Sequence, residues 1–374
     1  MARIRVLVVD DSVVIRKLVS DLLSADPGIE VVGTAVNGRA GLQKIALLKP
    51  DLVTMDIEMP ELNGIETVRE LRASGNRVPV IMFSTLTERG AVATLDALAA
   101  GASDYVPKPA NVGSIGRSME QVREALIPRI KSLVPRIDTR TVPTGAVAPV
   151  APAAPVSLRD PAQPPVNGYK LLVIGTSTGG PEALGSVLAG LPRLPVPTAV
   201  VQHMPPVFTQ QFAARLDRQL VHAVSEAVDG QVLRPGSVCI APGDFHLKVV
   251  AEGRDLVARL DQEPPENYCR PAVDVLFRSA AAVAGPAVLS VILTGMGSDG
   301  CRGARTIVER GGSLIAQNQA TSVVWGMPGA VTTAGLAERV LPLSEIPAEI
   351  TRRIGHQAGQ LPVGPSAMSA GGAR

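Results

Sequence analysis

One stretch near the middle of the sequence constrains the fold more than any other. It begins with the apolar run 171–174, passes through a turn of sequence GTSTGG at 175–180, and ends in a segment whose apolar residues recur at helical spacing. Those apolar residues are Ala183, Leu184, Val187, Leu188 and Leu191. The pattern predicts a buried strand that turns sharply into an amphipathic helix, with Ser177 at the turn.

Gly175 and Gly179 flank Ser177 in the arrangement G-x-S-x-G. This arrangement lets the backbone turn tightly and exposes the serine hydroxyl, and N–H groups at the helix start, including that of Thr178, can face a developing negative charge. The same turn is compatible with a phosphate or nucleotide cradle, or with a tight connection that has no chemical role. A nucleophilic Ser177 requires a base and an acid that orients the base.

Length and charge restrict the function classes. A chain of 374 residues is too long for one ordinary domain and predicts two. The net charge is +2 and aromatic residues make up only 2% of the chain, so neither a nucleic-acid surface nor an attraction to anionic membranes is indicated. A DNA-binding output domain is disfavoured because the sequence contains no basic helix or aromatic surface.

The cysteines and the N-terminus bear on the cellular compartment. Cys239, Cys269 and Cys301 are odd in number and far apart, so their spacing predicts neither a disulfide framework nor a zinc site. The first residues, MARIRVLVVDDS, place two aspartates directly after a short apolar run, unlike a signal peptide, and no run of about 18 apolar residues occurs. We therefore expect a cytoplasmic protein with no membrane insertion.

Short apolar runs alternate with helical patterns over residues 1–132, which we expect to form the first domain. The predicted strands are 6–9, 30–35, 52–56, 79–84 and 104–106. The predicted helices are 14–23, 38–48, 64–73, 88–100 and 113–131. Five strands alternating with helices predict a doubly wound α/β domain with a flavodoxin-like parallel sheet.

Charged and polar side chains follow several of these strands. Asp10, Asp11 and Asp56 lie at strand ends, so they should converge with Ser84 and Lys108 at the carboxyl edge of the sheet. Three carboxylates at one edge repel one another unless a cation joins them. A hard cation such as Mg²⁺, which keeps several waters, suits a site with so few protein ligands.

Over residues 3–125 these motifs resemble the receiver domain of two-component response regulators. They are DD after the first strand, MDIEMPELNG around Asp56, PVIMFS ending at Ser84, and YVPKP beginning at Tyr105. The resemblance implies that Asp56 accepts a phosphoryl group as an aspartyl phosphate. It also implies that Ser84 and Tyr105 form a switch pair.

The same resemblance implies a magnesium site. Asp11, Asp56 and the Glu58 carbonyl would bind Mg²⁺, and Asp10 would assist through water. Lys108 would contact the phosphoryl oxygens.

Two segments lack the pattern of a packed domain. Residues 133–168 are rich in Pro and Ala and show no sustained helical or strand period, so they predict a flexible linker. A linker of this kind holds two domains at high effective concentration without fixing their relation, which an interface that opens and closes would need. An inert spacer is equally compatible with these residues. We expect residues 356–374 to form a disordered tail.

Residues 169–355 predict a second α/β domain, mostly parallel and doubly wound. After the strand that precedes Ser177, the predicted strands are 198–201, 221–223, 238–241, 247–251, 256–260, 287–293 and 313–316. The predicted helices are 181–191, 206–217, 272–284, 301–310, 325–334 and 344–354. The segment 247–257 is a candidate hairpin.

A base and an acid for Ser177 can be sought among few residues, because the chain has only four histidines. His203 follows the strand TAVVQ and should face the same edge of the sheet as Ser177. His222 and His246 lie within or beside strands, where a structural role is expected. Asp299 follows the strand 287–293 in a glycine-rich turn and could orient His203, although an Asx-turn or helix cap is an equal alternative.

The order Ser177, His203, Asp299 differs from the Ser, Asp, His order of α/β-hydrolases, so a lipase or esterase of that fold is disfavoured. The domain instead resembles the chemotaxis methylesterases, response regulators that demethylate chemoreceptors. The matching motifs are IGTSTGGPEAL, VVQHMPPVFTQQFAARL, APGDFHL, RPAVDVLFRSAA and ILTGMGSDG. By this resemblance Ser177 is the nucleophile, His203 the base and Asp299 its partner, and the Met296 N–H lies near the oxyanion.

The resemblance implies hydrolysis of γ-glutamyl methyl esters and deamidation of glutamines, with no cofactor for the ester chemistry. Methylated chemoreceptors would be the substrate and a chemotaxis histidine kinase the phosphodonor. The alternative is a receiver joined to a nucleotide- or phosphate-binding module. That alternative gives no reason for His203 and Asp299 at neighbouring strand ends, and no acidic ribose-binding residue follows the glycines at the expected distance.

Overall fold

The computed structural model describes residues 3–108, 115–134 and 158–355. The linker residues 135–157 and the C-terminal residues 356–374, for which we predicted a flexible linker and a disordered tail, lie outside the described residues. None of the helices in the described ranges is long and apolar enough to cross a bilayer.

The N-terminal domain alternates strand and helix throughout. Its elements are β1 (Ile4–Val9), α1 (Val13–Ser24), β2 (Ile29–Ala35), α2 (Gly38–Leu48), β3 (Leu52–Asp56), α3 (Gly64–Ala73), β4 (Val80–Ser84), α4 (Glu88–Ala99), β5 (Asp104–Pro107) and α5 (Ile115–Leu133). The five strands form a parallel sheet of order β2-β1-β3-β4-β5. The strand order reverses between β1 and β3, which is where ligands bind in open α/β sheets.

The C-terminal domain is built on a larger parallel sheet. Its elements are β6 (Leu171–Thr176), α6 (Gly180–Ala189), β7 (Thr198–Gln202), α7 (Phe208–Gln219), β8 (Ala223–Glu226), β9 (Ser237–Ile240), β10 (His246–Glu252), β11 (Asp255–Asp261), α8 (Val273–Ala284), β12 (Val288–Ile292), α9 (Cys301–Glu309), β13 (Ser313–Gln317), α10 (Met327–Thr333), β14 (Arg339–Leu341) and α11 (Ile346–Gly355). Seven strands are parallel in the order β14-β13-β12-β6-β7-β9-β8. The strands β10 and β11 pair separately as the expected antiparallel hairpin.

This topology brings three strand ends together. The chain starts its sheet with β6, continues through β7 to one edge, and later returns to place β12 on the other side of β6. The order therefore reverses between β6 and β12. Ser177 follows β6, His203 follows β7 and Asp299 lies in the loop after β12, so all three side chains start from the carboxyl edge of neighbouring strands.

Several bounds differ by one or two residues from the sequence prediction, and two strands differ most. The three-residue strand β14 was missed, because Arg339–Leu341 is a short edge strand that is at most half buried and has no alternating pattern. The strand predicted at 221–223 lies at Ala223–Glu226, since His222 is buried just before it and the residues Ser225 and Glu226 continue the edge strand.

The end of the predicted linker packs on the C-terminal domain. The Arg159 N–H donates to the Ala337 carbonyl, and the Arg159 guanidinium lies 2.9 Å from Glu338 Oε1. The Ala162 N–H also donates to Glu338. We predicted that this domain starts at residue 169. Residues that pack on it thus begin earlier in the chain, by Arg159.

Candidate active site

Ser177 lies at a tight turn between a fully buried strand and a helix. Every residue of β6 is buried, and Gly179 adopts a left-handed conformation with φ of 74°. At Gly180 an added Cβ would lie 2.0 Å from the Oε1 atom of Gln202, so only glycine fits there. The turn therefore depends on its glycines for both conformation and close packing, as the sequence predicts.

The loop after β12 packs directly against Ser177. The Ser177 N–H donates to the Thr294 carbonyl at 3.0 Å, and the hydroxyl of Thr176 donates to the same oxygen at 3.1 Å. A Cβ at Gly295 would lie 2.8 Å from Ser177 Cβ. These contacts fix the position of Ser177 relative to the loop that carries Asp299.

A second connection joins Ser177 to His203. The Gln202 side-chain amide donates to the Ser177 carbonyl at 3.0 Å and to the His203 carbonyl at 3.2 Å. Gln202 is the last residue of β7 and is buried, so it ties the two turns together below the site. We did not single out Gln202 from the sequence, although its place directly before His203 was visible.

The His203 ring is hydrogen-bonded to Asp299. The distance from Nε2 to Asp299 Oδ2 is 2.8 Å, and the Asp299 side chain is only 3% exposed. Burial opposes ionisation of Asp299, but the His203 ring and the N–H groups of Val273 and Asp274 at the start of α8 outweigh burial and lower its pKa. The carboxylate thus stays charged beside the ring.

The charged carboxylate changes the acidity of the ring. Burial favours the neutral form of His203, but the hydrogen bond with Asp299 and the neighbouring thiol of Cys269 prevail and raise its pKa to about 10. Asp299 therefore stabilises the protonated ring, which is what the partner of a general base does.

Two residues near His203 were not predicted as site residues. Asn267 donates from its side-chain amide to Asp299 Oδ1 at 2.8 Å, and Cys269 Sγ lies 3.6 Å from His203 Nδ1. Both precede α8 on a loop that has no periodic pattern. The sequence therefore gave no signal that places them near Ser177. Within the described ranges no hydrogen bond joins Ser177 Oγ to His203, although both residues line one cleft.

Two backbone N–H groups beside Ser177 remain available for a ligand. In the described part of the chain, the N–H groups of Thr178 and Met296 donate to no protein acceptor. Both residues lie on the loops that carry Ser177 and Asp299, as the sequence prediction of oxyanion donors requires.

The remaining described histidines have structural partners. His222 Nε2 lies 3.1 Å from the Leu188 carbonyl, and His246 Nε2 lies 3.2 Å from the Pro264 carbonyl. Both side chains are buried. These contacts agree with the structural role expected for them.

The acidic site of the N-terminal domain lies at the carboxyl ends of β1 and β3. Carboxylate oxygens of Asp10, Asp11 and Asp56 lie within 4.8 Å of one another. Lys108 Nζ lies 2.7 Å from Asp56 and 3.4 Å from Asp10. Burial raises the pKa of Asp56 to about 6, although Lys108 opposes this shift.

The residues of this acidic site fit a magnesium ion. Three carboxylates face one ammonium group, which leaves an excess of negative charge and a set of hard oxygen ligands. Glu58 and Ser84 line the same cleft of about 260 Å³, so there is room for a hydrated cation. The described residues thus bring the carboxylates of Asp10, Asp11 and Asp56 together, and Glu58 lines the cleft beside Asp11 and Asp56.

Ser84 and Tyr105, the predicted switch pair, contact different parts of the molecule. Ser84 Oγ accepts a 2.6 Å hydrogen bond from Thr94 Oγ1 and donates to the Gly90 carbonyl, both on α4. Tyr105 instead lies against the C-terminal domain, where its ring stacks on Phe208 with centroids 4.9 Å apart. Burial raises the pKa of the Tyr105 hydroxyl.

The N-terminal domain covers the cleft of Ser177. Thr178 Oγ1 donates to Asp104 Oδ2 at 2.7 Å, and Arg215 of α7 lies 2.6 Å from Asp96 of α4. The cleft beside Ser177 has a volume of only about 10 Å³, and its lining includes Leu98, Asp104, Tyr105 and Arg129 of the N-terminal domain. A space of this size holds about one water molecule, so a substrate side chain does not fit.

Comparison with known proteins agrees with both halves of this arrangement. A family model described as CheB methylesterase matches residues 172–350, and one described as the response regulator receiver domain matches residues 6–119. A protein-glutamate methylesterase/protein-glutamine glutaminase of Nocardioides sp. is 74% identical over 96% of this chain and 98% of its own. The chain belongs to this methylesterase/glutaminase family.

Two further proteins are similar to all or to part of this chain. The protein of Trichodesmium erythraeum with the same name is 47% identical over 95% of this chain and 100% of its own. The crystal structure of the Thermotoga maritima CheB methylesterase catalytic domain is 45% identical, with a TM-score of 0.49, over 50% of this chain and 98% of that chain. Family membership supports the methylesterase interpretation and not the alternative of a nucleotide-binding module.

Proposed function

We propose that this protein hydrolyses γ-glutamyl methyl esters and deamidates glutamine side chains of chemoreceptors, and that Ser177, His203 and Asp299 carry the reaction. The observation that carries this assignment is the 2.8 Å hydrogen bond between His203 and Asp299 at the strand ends beside Ser177. A phosphate cradle would have no use for a charged, buried carboxylate that holds an imidazole next to the serine.

His203 acts as the base. Its Nε2 is engaged by Asp299, so Nδ1, which lies 3.6 Å from Cys269 Sγ, is the ring nitrogen that would take the proton of Ser177. The Ser177 oxygen then attacks the ester carbonyl, and Asp299 stabilises the imidazolium that forms. Contacts between nucleophile and base are often long before substrate binds, so Ser177 would approach the ring once the cleft is open.

The oxyanion and the leaving group complete the first step. The free N–H groups of Thr178 and Met296 would donate to the carbonyl oxygen as it gains charge, and removal of one such donor costs about 10²–10³ in rate. The imidazolium gives its proton to the departing methanol, which leaves an acyl-enzyme. Water, deprotonated by His203, then attacks the acyl-enzyme and releases glutamate, and the imidazolium returns its proton to the Ser177 oxygen. From a glutamine substrate the same acyl-enzyme forms with loss of ammonia.

The N-terminal domain controls access to Ser177. A phosphoryl group on Asp56, transferred from a chemotaxis histidine kinase, would draw Ser84 away from Thr94 and Gly90 of α4. Mg²⁺ bound by Asp11, Asp56 and the Glu58 carbonyl, with Asp10 assisting, would offset the negative charge of that group. Because α4 also carries Asp96, a shift of this helix would weaken the contact with Arg215 and favour an open cleft.

Substrate and phosphodonor on the cytoplasmic side of the membrane would place the protein in the cytoplasm.

The central assignment is tested by methanol release from methylated receptor membranes. We expect Ser177→Ala to abolish release, because it removes the nucleophile with little change in volume. The matched control is Ser186→Ala, an exposed serine on α6, which should keep full activity. Full activity of Ser177→Ala would refute the assignment.

A further inference from the structure

Cys269 occupies a position that the proposed mechanism does not use. Its thiol is partly exposed on the loop before α8 and lies 3.6 Å from His203 Nδ1. One donor atom from each of Cys269, His203 and Asp299 lies within 4.8 Å of the others. The sequence spacing gave no sign of this cluster, because its members come from three distant loops.

The geometry points to a metal site. Zinc binds a thiolate sulfur at about 2.3 Å and an imidazole nitrogen at about 2.0–2.1 Å in tetrahedral geometry, which places the two ligand atoms about 3.6 Å apart. The Sγ···Nδ1 distance of 3.6 Å already has this value. We propose that Cys269 and His203 bind a borderline-soft divalent cation such as Zn²⁺ between Sγ and Nδ1.

Asp299 prepares the histidine for this role. Imidazoles that bind metals usually direct their other N–H to a carboxylate, which fixes the tautomer and the ring orientation. The 2.8 Å contact between Nε2 and Asp299 Oδ2 is of this kind and leaves Nδ1 facing Cys269. The contact that prepares a base for Ser177 therefore also prepares a metal ligand.

Ligand chemistry separates this site from the magnesium site of the N-terminal domain. Thiolate and imidazole select zinc-like cations, whereas the carboxylates of Asp10, Asp11 and Asp56 suit Mg²⁺. The thiol of Cys269 and the protonated ring of His203 each lose a proton to solvent on binding, so affinity for the cation rises with pH. Two protein ligands leave the other positions to water, and binding is accordingly reversible.

The site has a consequence for catalysis, which rests on the proposed function. A cation on Nδ1 occupies the lone pair that would take the Ser177 proton. Zinc bound at Cys269 and His203 therefore inhibits the ester hydrolysis, whereas Mg²⁺ at the acidic site does not.

Binding is tested without reference to activity by titrating the full-length protein with Co²⁺ as a probe for Zn²⁺. A cobalt–thiolate bond gives a sulfur-to-metal charge-transfer absorption that carboxylate ligands do not give. We expect the band in the wild type and in Cys301→Ala, the matched variant of the other partly exposed cysteine, and its loss in Cys269→Ala and in His203→Gln. Zn²⁺ should displace Co²⁺ and remove the band. Absence of the band in a folded wild type, or its persistence in Cys269→Ala, would overturn the proposal.

A second measurement separates this proposal from the assignment of the nucleophile. We expect Zn²⁺ to inhibit methanol release by the wild type and EDTA to restore it. With each protein compared with its own zinc-free rate, Cys269→Ala should require at least about tenfold more Zn²⁺ for the same fractional inhibition. A wild type with the cobalt band but no esterase activity would refute the proposed function and leave the metal site standing. Equal zinc sensitivity of wild type and Cys269→Ala would refute the metal site alone.

Discussion

Asp104 Oδ2 of the N-terminal domain accepts a 2.7 Å hydrogen bond from Oγ1 of Thr178, the residue that follows Ser177. The same carboxylate lies 3.1 Å from Arg129, so it is held in place from its own domain. A receiver side chain thus touches the turn that carries the nucleophile and the oxyanion donor of the proposed mechanism. Contact with the N-terminal domain and catalysis would therefore both use the turn at Ser177 and Thr178.

The ion pair between Asp96 and Arg215 is a partly exposed contact of this interface and offers the first prediction. The side chains are 45% and 21% exposed, and such a pair contributes up to about 1 kcal/mol. Asp96→Ala should therefore raise methanol release by the unphosphorylated protein by about two- to fivefold. Asp21→Ala, which removes an exposed pair with Lys17 on α1, is the control and should change nothing. A lower rate in Asp96→Ala would contradict the role of this contact in closing the cleft.

The raised pKa of His203 leads to a prediction about pH. A base must be neutral to accept a proton, and the interaction with Asp299 and Cys269 keeps the ring protonated beyond its ordinary pKa of about 6.5. Activity, measured with EDTA present and corrected with Ser177→Ala, should therefore keep rising with pH towards the shifted pKa of about 10. A rate that levels off near pH 7 would show that His203 is not held in the protonated form.

The raised pKa of His203 also makes the folding stability depend on pH, in the direction opposite to the activity. Because the pKa of His203 is raised on folding, the stabilisation from its pairing with Asp299 is fully present below the unfolded pKa of about 6.5. It is lost as pH rises through the folded pKa. Catalysis and this part of the stability thus change in opposite directions over the alkaline range.

Glu338 gives a prediction that is independent of catalysis. Its side chain is fully buried and pairs with Arg159 at 2.9 Å and with Arg353 at 2.6 Å. Glu338→Ala removes one of the two carboxylate partners of Arg353, which is 6% exposed and keeps Glu349 at 2.7 Å, so the cost should lie below the ~3–5 kcal/mol of a buried pair that is broken completely. Urea unfolding followed by fluorescence of the single tryptophan, Trp325, measures the change. Glu345→Ala, an exposed neighbour, should cost almost nothing, and a loss below about 1 kcal/mol for Glu338→Ala would contradict the account.

The sequence was informative where chemistry follows a strand. Ser177 and His203 lie within three residues after a short apolar run, Asp56 ends a strand, and parallel strands bring their carboxyl ends to one edge. The short apolar runs therefore predicted both the strands of the fold and the positions of the candidate residues at their ends. The acidic cluster around Asp56 was predictable for the same reason.

Contacts between distant loops left no comparable signal. Cys269 lies 66 positions from His203, and Thr178 lies 74 positions from Asp104, with no periodic pattern to connect either pair. The linker composition around Arg159 predicted flexibility, but its pairing with buried Glu338 depends on a tertiary contact. A fragment meant to represent the C-terminal domain should accordingly begin at Leu158.

The central claim is that the receiver domain closes the Ser177 cleft until Asp56 is phosphorylated. It is tested most directly by methanol release from the full-length protein before and after treatment with a small acyl phosphate and Mg²⁺, with phosphorylation checked by mass spectrometry after borohydride trapping. A shift of about 1.4 kcal/mol towards the open state raises a small open fraction tenfold, so we predict an increase of about that size or more. Asp56→Asn should stay at the unphosphorylated rate. Equal rates for the wild type with and without a verified phosphoryl group on Asp56 would contradict the account.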